Sequence, residues 1–340
     1  LSLHDALPIC SITHPALNDI RERGEPPALW SLAFRPFFLA AGLWAAAALA
    51  LWIAILTMNQ ALPSAFDPLS WHIHEMLFGF VVAAIAGFLL TAIPNWTARP
   101  PIQGVVRAGL VALWAAGRIV CLVSAFLPLW LAAGIDVAFP FVLGAFAARE
   151  IVAARNWRNL MMTVPLGVLG IANLLMYLEV GGVNVPTGLG WRLAIAAIIA
   201  LITAVGGRII PAFTRNWLVA QGATRLPTAA RLVDRLALST LHLGLLAWAF
   251  LPAVPAVGGL LLVGALLNAW RLARWRGHAV FGEPLLAILH LGYLWVVIGA
   301  ALLGVSALGD LVPQSAAIHA FTAGAIGTMI LAVMSRVSLG

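Results

Sequence analysis

Ten long apolar stretches divide the chain, each bounded by Pro, Gly or Arg. They fall at roughly 34–56, 73–94, 104–126, 128–149, 160–180, 190–210, 236–253, 256–272, 284–306 and 315–336. Each is near the ~20 apolar residues that a helix needs to cross hydrocarbon. The pattern predicts ten transmembrane α-helices. The seventh and eighth are separated by Leu251–Pro255 (LPAVP), which reads as a tight turn or a kink. Ala, Gly and Leu dominate the stretches. Small residues let membrane helices approach closely, so a compact bundle is expected.

Composition agrees with this pattern. Of 340 residues, 63% are hydrophobic and 9% charged, against about 25% charged in a soluble domain. So few charges cannot cover a water-facing surface, and the outer surface must face lipid. The expected class is all-α, a polytopic bundle with its N-terminus cytoplasmic. Residues 33–340 would form one transmembrane domain, incomplete at its C-terminal side, preceded by a cytoplasmic segment over 10–32. The opening Leu1–Ile9 (LSLHDALPI) matches one reading frame of a common sequencing adapter and is read as an artefact of that origin.

The net charge of +7 raises the question of nucleic acid, but all 19 basic residues are arginines scattered singly over short loops. A binding surface would gather them into one patch. They instead alternate from loop to loop. Arg21, Arg23 and Arg35 precede the first stretch. The even-numbered loops carry Arg99 and Arg107, then Arg149, Arg155 and Arg158, then Arg208, Arg215, Arg225, Arg231 and Arg235, then Arg271, Arg274 and Arg276. Arg336 closes the tenth stretch. The odd-numbered loops carry only Arg192. Seventeen of the 19 therefore share one side, which the positive-inside rule makes cytoplasmic. The chain is expected to lie in a lipid bilayer with that side facing the cytoplasm, without nucleic acid.

Ionisable groups inside spans are costly and mark functional sites. His72 and His74 lie in Trp71–Gly79 (WHIHEMLFG) at the outer mouth of the second span, and His319 lies near the outer end of the tenth. His242 and His290 lie about two turns into the seventh and ninth spans from the inner side. An outer trio and an inner pair at matching depths follow. Imidazole suits iron, copper and zinc, and two histidines from facing helices can hold a haem. Histidines at i and i+2 do not share a helix face, so His72 and His74 should straddle a helix start with one turned inward. A single histidine at a span end also serves as an interfacial hydrogen-bonding residue.

Glu75 could orient a ligating histidine, line a proton route, or cap a helix in solvent. Arg118 and Asp136 could pair across the turn at Phe126–Trp130, or Arg118 could meet a haem propionate. Arg208 follows Gly206–Gly207 and is read as an inside arginine at a helix exit rather than part of a phosphate loop. Cys10 and Cys121 lack metal-ligand spacing, and Cys121 is read as a small core residue. The 14 tryptophans cluster at predicted span ends as an interfacial belt.

Six segments in order resemble the NnrS family of bacterial membrane proteins. They are Phe34–Phe38 (FRPFF), Trp71–Gly79, Gly87–Trp96 (GFLLTAIPNW), Gly206–Thr214 (GGRIIPAFT), His290–Trp295 (HLGYLW) and His319–Gly340. The resemblance runs from about residue 30 to the end and implies about two further spans beyond it. It also implies a haem b- and copper-containing protein of the bacterial inner membrane, part of the response to nitric oxide and nitrosative stress, as in denitrifying bacteria. His72, His74, His242, His290 and His319 become the metal-ligand candidates. Glu75, Arg118, Asp136 and Arg208 become their supporting or propionate-pairing candidates. Two other classes stay open. One is a transporter or channel, although no clear internal repeat is visible in the sequence. The other is a respiratory oxidase or nitric oxide reductase-like subunit, for which five histidines are few.

Overall fold

The computed structural model describes residues 28–58 and 60–339, all of whose regular structure is helical. The artefact assigned to 1–9, most of the segment 10–32, Cys10, Arg21 and Arg23 lie outside the described residues. Among the described residues ten helices are long and apolar enough to span a membrane: α1 (Phe34–Met58), α2 (Pro68–Thr97), α3 (Gly104–Leu122), α4 (Leu129–Ala153), α5 (Trp157–Val180), α6 (Leu189–Ala220), α7 (Arg231–Phe250), α8 (Pro255–Ala273), α9 (Pro284–Leu308) and α10 (Gln314–Leu339).

Three boundaries differ from the sequence reading by five residues or more. The second helix begins at Pro68, where Asp67 accepts from the backbone N–H groups of Leu69 and Ser70 and proline takes the first turn. His72 and His74 therefore sit inside the helix rather than at its start. Burial acts to raise the Asp67 carboxyl, but these bonds and one to the Ser70 side chain hold it below its ordinary value. The sixth helix does not exit at Gly206–Arg208. It continues through Pro211 to Ala220, with Arg208 on an exposed face. The seventh begins at Arg231, five residues before the apolar run. LPAVP is a turn, because Pro255 opens α8.

The helices fall into two compact units, divided between Ala194 and Ile195. In the N-terminal unit α1 packs on α2, α3 on α4, and α4 on α5. Trp71, Phe37, Leu89, Leu143, Leu166 and Tyr177 are among its fully enclosed side chains. In the C-terminal unit α8 packs on both α7 and α9, and α9 meets α10. Its core holds Trp248, Leu261, Tyr293 and Phe321. Leucines on the far faces, such as Leu43, Leu266 and Leu331, are exposed, as a lipid-facing surface requires.

Two helices leave the α geometry for one π-helical stretch each: Glu75–Val81 in α2 and Ala320–Gly327 in α10.

Candidate metal centre and polar clusters

The N-terminal unit buries an ionic cluster among apolar helices. Its members come from one end of α2, α3, α4 and α5, the arginine-poor end. His74 and Glu75 lie early in α2, Arg118 and Cys121 late in α3, Asp136 early in α4, and Asn173 and Tyr177 late in α5. Antiparallel neighbours bring these positions to one level.

His74 is fully buried at its centre. Its Nδ1 is 3.1 Å from Glu75 Oε1, and its Nε2 is 3.0 Å from Asp136 Oδ2 and 2.9 Å from Asn173 Oδ1. Both ring nitrogens face acceptors, an arrangement that an imidazolium with two N–H donors satisfies. Arg118 donates to Glu75 Oε2 at 2.7 Å and also to Asp136 Oδ1. Trp44 of α1 donates to Glu75 Oε2 at 2.7 Å, and Tyr177 donates to Asp136 Oδ2 at 3.3 Å. Two carboxylates, one guanidinium and one imidazolium sum to zero. Neutrality is what permits such a cluster in a low-dielectric interior.

Glycine creates the space. A Cβ on Gly79 would lie 2.5 Å from Trp44 Nε1 and 2.9 Å from Glu75 Oε2. One on Gly117 would lie 2.6 Å from Asp136 Oδ1. The cluster also contains a potential metal-binding group. One ligand atom each from His74, Glu75 and Cys121 lie within 4.8 Å of one another, and Cys121 Sγ is 3.5 Å from His74 Nδ1. Imidazole, thiolate and carboxylate together form a donor set for copper or zinc.

The neighbouring His72 points elsewhere, as expected for i and i+2. Its ring stacks on Trp52 with centroids 4.1 Å apart. Arg118 and Asp136 pair as the sequence suggested. Glu75 is buried against both His74 and Arg118, so the solvated-cap reading does not hold. Asn173, Tyr177 and Trp44 were not singled out from sequence, and Cys121, read there as a small core residue, is buried but lies beside His74 in the cluster.

The C-terminal unit has a second polar cluster, at the arginine-bearing end. Arg271 of α8 donates to Tyr293 Oη of α9 at 2.7 Å and pairs with Asp234 of α7 at 3.3 Å. Tyr293 in turn donates to Asn268 Oδ1 at 2.7 Å. A Cβ on Gly207 would overlap the Arg271 guanidinium, so this glycine lets α6 meet the charge.

The histidines here are held by oxygen atoms. Thr214 spends its hydroxyl proton on the Ile210 carbonyl, so its Oγ1 can only accept from His290 Nε2, 2.8 Å away. Thr203 likewise donates to the Ile199 carbonyl, so it accepts from His242 Nε2 at 2.8 Å. Both rings therefore carry the proton on Nε2 and a lone pair on Nδ1. His319 is the reverse case. Its Nδ1 lies 2.7 Å from the Ser315 carbonyl and must donate, leaving the lone pair on Nε2 of an exposed ring.

His242 and His290 do not converge. Their partners are eleven residues apart on α6, which is roughly 16 Å along the axis. The Nδ1 of His290 is buried without a hydrogen-bond partner, and a Cβ on Gly277 would be 2.7 Å from it. The Gly277 backbone thus stands close to that nitrogen. Two histidines so placed cannot be the axial ligands of one iron, contrary to the matched-depth expectation.

A groove of about 550 Å³ between α4 and α5 is lined by apolar groups such as Leu129, Trp130, Val137 and Phe141, together with Tyr177. No histidine lines it.

A family model described as NnrS protein matches residues 28–340 of this chain. Neither a curated protein nor a solved structure matches.

Proposed function

From the premise that the chain belongs to the NnrS family, we propose a haem- and copper-binding protein of the bacterial inner membrane that responds to nitric oxide and nitrosative stress. Its N-terminus is on the cytoplasmic side, by the distribution of arginines. The observation that carries the metal reading is the convergence of His74, Glu75 and Cys121 inside the N-terminal unit. Bound copper or iron supplies an open coordination position for nitric oxide and a one-electron couple.

The roles of the chain's own residues follow from their contacts. His74 Nδ1, a Glu75 oxygen and Cys121 Sγ would hold the metal. Asp136 and Asn173 accept from His74 Nε2 and so fix the ring's orientation, the usual task of groups behind a ligating imidazole. Arg118 holds both carboxylates in place and offsets their charge. The apolar helices around the cluster exclude water while admitting a small lipid-soluble gas. His319, with its lone pair on Nε2, has the tautomer of a haem or copper ligand. His72, His242 and His290 are weaker candidates because their rings are engaged with Trp52, Thr203 and Thr214.

The test is metal and pigment analysis of the purified protein from haem-replete cells, with optical and paramagnetic resonance spectra before and after nitric oxide. A Soret band that shifts with the gas is expected, together with copper that is lost in His74→Ala and in Cys121→Ala. A colourless protein free of both metals would remove the reading.

One observation favours a second reading. The cluster as built is proton-filled and charge-neutral, which also suits a proton-coupled transporter. Proton-driven solute uptake by metal-free proteoliposomes, abolished by Asp136→Asn, would select it.

A further inference from the structure

Both π-helical stretches occur at the same point relative to a histidine. In α2 the π-helical stretch begins at Glu75, directly after His74. In α10 it begins at Ala320, directly after His319. Each helix also starts beside a proline. Pro68 occupies the first turn of α2 and Pro313 the cap of α10. The leading α-helical pieces, Pro68–His74 and Gln314–His319, are seven and six residues long.

A π-turn bonds residue i+5 to residue i, where an α-turn bonds i+4. The residue one turn beyond the histidine is therefore the fifth. In both helices it is glycine: Gly79 in HEMLFG (His74–Gly79) and Gly324 in HAFTAG (His319–Gly324). The two hexapeptides share only these two residues, so the sequence alone gives the likeness little weight.

Each glycine is also covered by an indole from another helix of its own unit. A Cβ on Gly79 would meet Trp44 Nε1 at 2.5 Å, and that same N–H is the one bonded to Glu75. A Cβ on Gly324 would meet Trp295 Cδ2 at 2.7 Å and Cε3 at 2.8 Å. On α2 a second indole adds support, since Trp114 donates to the Gly79 carbonyl at 2.9 Å. A π-turn lasts where its surroundings compensate for the disturbed ladder, and such turns recur at functional sites. The indole packed on a bare glycine is the compensation common to both helices.

The geometry points to one device used twice: a π-turn of pattern H-x4-G, locked by a tryptophan on its glycine, that sets the direction of a ligand histidine. Gly79 and Gly324 are then positioning residues for His74 and His319, acting through Trp44 and Trp295. The ligand role of the histidines rests on the metalloprotein reading above; the positioning itself does not.

The test uses Gly79→Ala and Gly324→Ala in the full-length protein, labelled with ring-¹⁵N histidine in micelles, together with metal content. In an ordinary helix interior, glycine to alanine is favourable. Harm here would therefore come from the indole, and at Gly79 also from Glu75 Oε2, 2.9 Å from the added Cβ. Gly324→Ala should move the His319 ring signals and leave those of His74. Gly79→Ala should do the reverse. The affected site should lose metal affinity by about 10- to 100-fold, as when a group orienting a ligand is removed. Trp295→Leu added to Gly324→Ala should restore the His319 signals, which separates displacement of one ring from failure to fold. The proposal is overturned if either alanine variant keeps its histidine's wild-type signals, or if the Trp295→Leu partner gives no rescue. A wild-type protein without metal would defeat the metalloprotein reading alone, since the ring signals still report the positioning.

Discussion

Asp136 lies against Gly117, so close that a Cβ there would stand 2.6 Å from Asp136 Oδ1 and 3.4 Å from its Cα. The missing side chain lets α3 and α4 approach until Arg118, the next residue, reaches the same carboxylate. Gly117→Ala should therefore act as a wedge. Overpacking costs about 1–3 kcal/mol, and the strained Arg118–Asp136 contact adds to it. Unfolding in mixed micelles should show a loss at the upper end of that range. Alanine at Gly109, whose Cβ would meet nothing within 4 Å, should be neutral or stabilising. Equal effects at the two glycines would refute the account.

The charge balance of the cluster makes a second prediction. Arg118→Met removes one of two positive charges facing Glu75 and Asp136. Breaking a buried pair in this way costs about 3–5 kcal/mol. Adding Glu75→Gln returns the sum to zero, and the one amide oxygen can still accept from Trp44 or from His74. The double variant should be more stable than Arg118→Met alone by at least about 1 kcal/mol, the scale of coupling between groups in contact. Strictly additive losses would show that neutrality is not what the cluster needs.

How much of this could be read from the sequence depended on where polar groups stood relative to apolar runs. All ten helices were visible, because each run is punctuated. The errors lie where helix extends past the run. Arg231–Arg235 is charged yet helical, so α7 begins five residues early and His242 lies eleven residues inside it, against six for His290 in α9. That difference undid the matched depths. Asp67–Pro68 is a start signal for α2 that lies outside the apolar run and so outside its periodicity. In the site, His74, Glu75, Arg118 and Asp136 stood out as in-span charges. Asn173 and Tyr177 are i and i+4 on one face of α5, as are Asn268 and Arg271 at i and i+3 on α8. This spacing is readable, but which face meets a charge is set by packing. Cys121 joins the cluster for that reason alone. It sits one turn beyond Arg118 on α3, and nothing local distinguishes it from a core residue.

The threonine–histidine pairs yield a third test. Thr214→Val keeps the shape of the side chain and deletes the only acceptor shown for His290 Nε2. A buried N–H without a partner costs about 1–3 kcal/mol, and moving the proton to Nδ1 brings no relief, because that nitrogen is also buried without a partner. The variant should lose stability by that amount, and ring-¹⁵N spectra should show the Nε2–H tautomer losing its dominance. Thr214→Ser, which retains the hydroxyl, should leave it in place. Unchanged signals in the valine variant would mean that Thr214 does not set the proton's position.

Neutrality also sets the proton stoichiometry of metal loading. Without metal the cluster sums to zero with His74 as imidazolium and Cys121 as thiol. With a dication on His74 Nδ1, Glu75 and Cys121, it sums to zero again only if His74 is neutral and Cys121 is thiolate. The carboxylates of Glu75 and Asp136 and the guanidinium of Arg118 are common to both states. One dication must therefore displace two protons, since ligating thiols and imidazoles bind metal in their deprotonated forms. Apparent affinity should rise with pH, approaching a hundredfold per unit where both protons are released. Calorimetric titration in two buffers of different ionisation enthalpy would count them directly. About two protons per metal are expected, falling to about one in Cys121→Ser if that variant binds at all. Binding that releases no protons would place the metal elsewhere and leave His74 as a permanent internal cation.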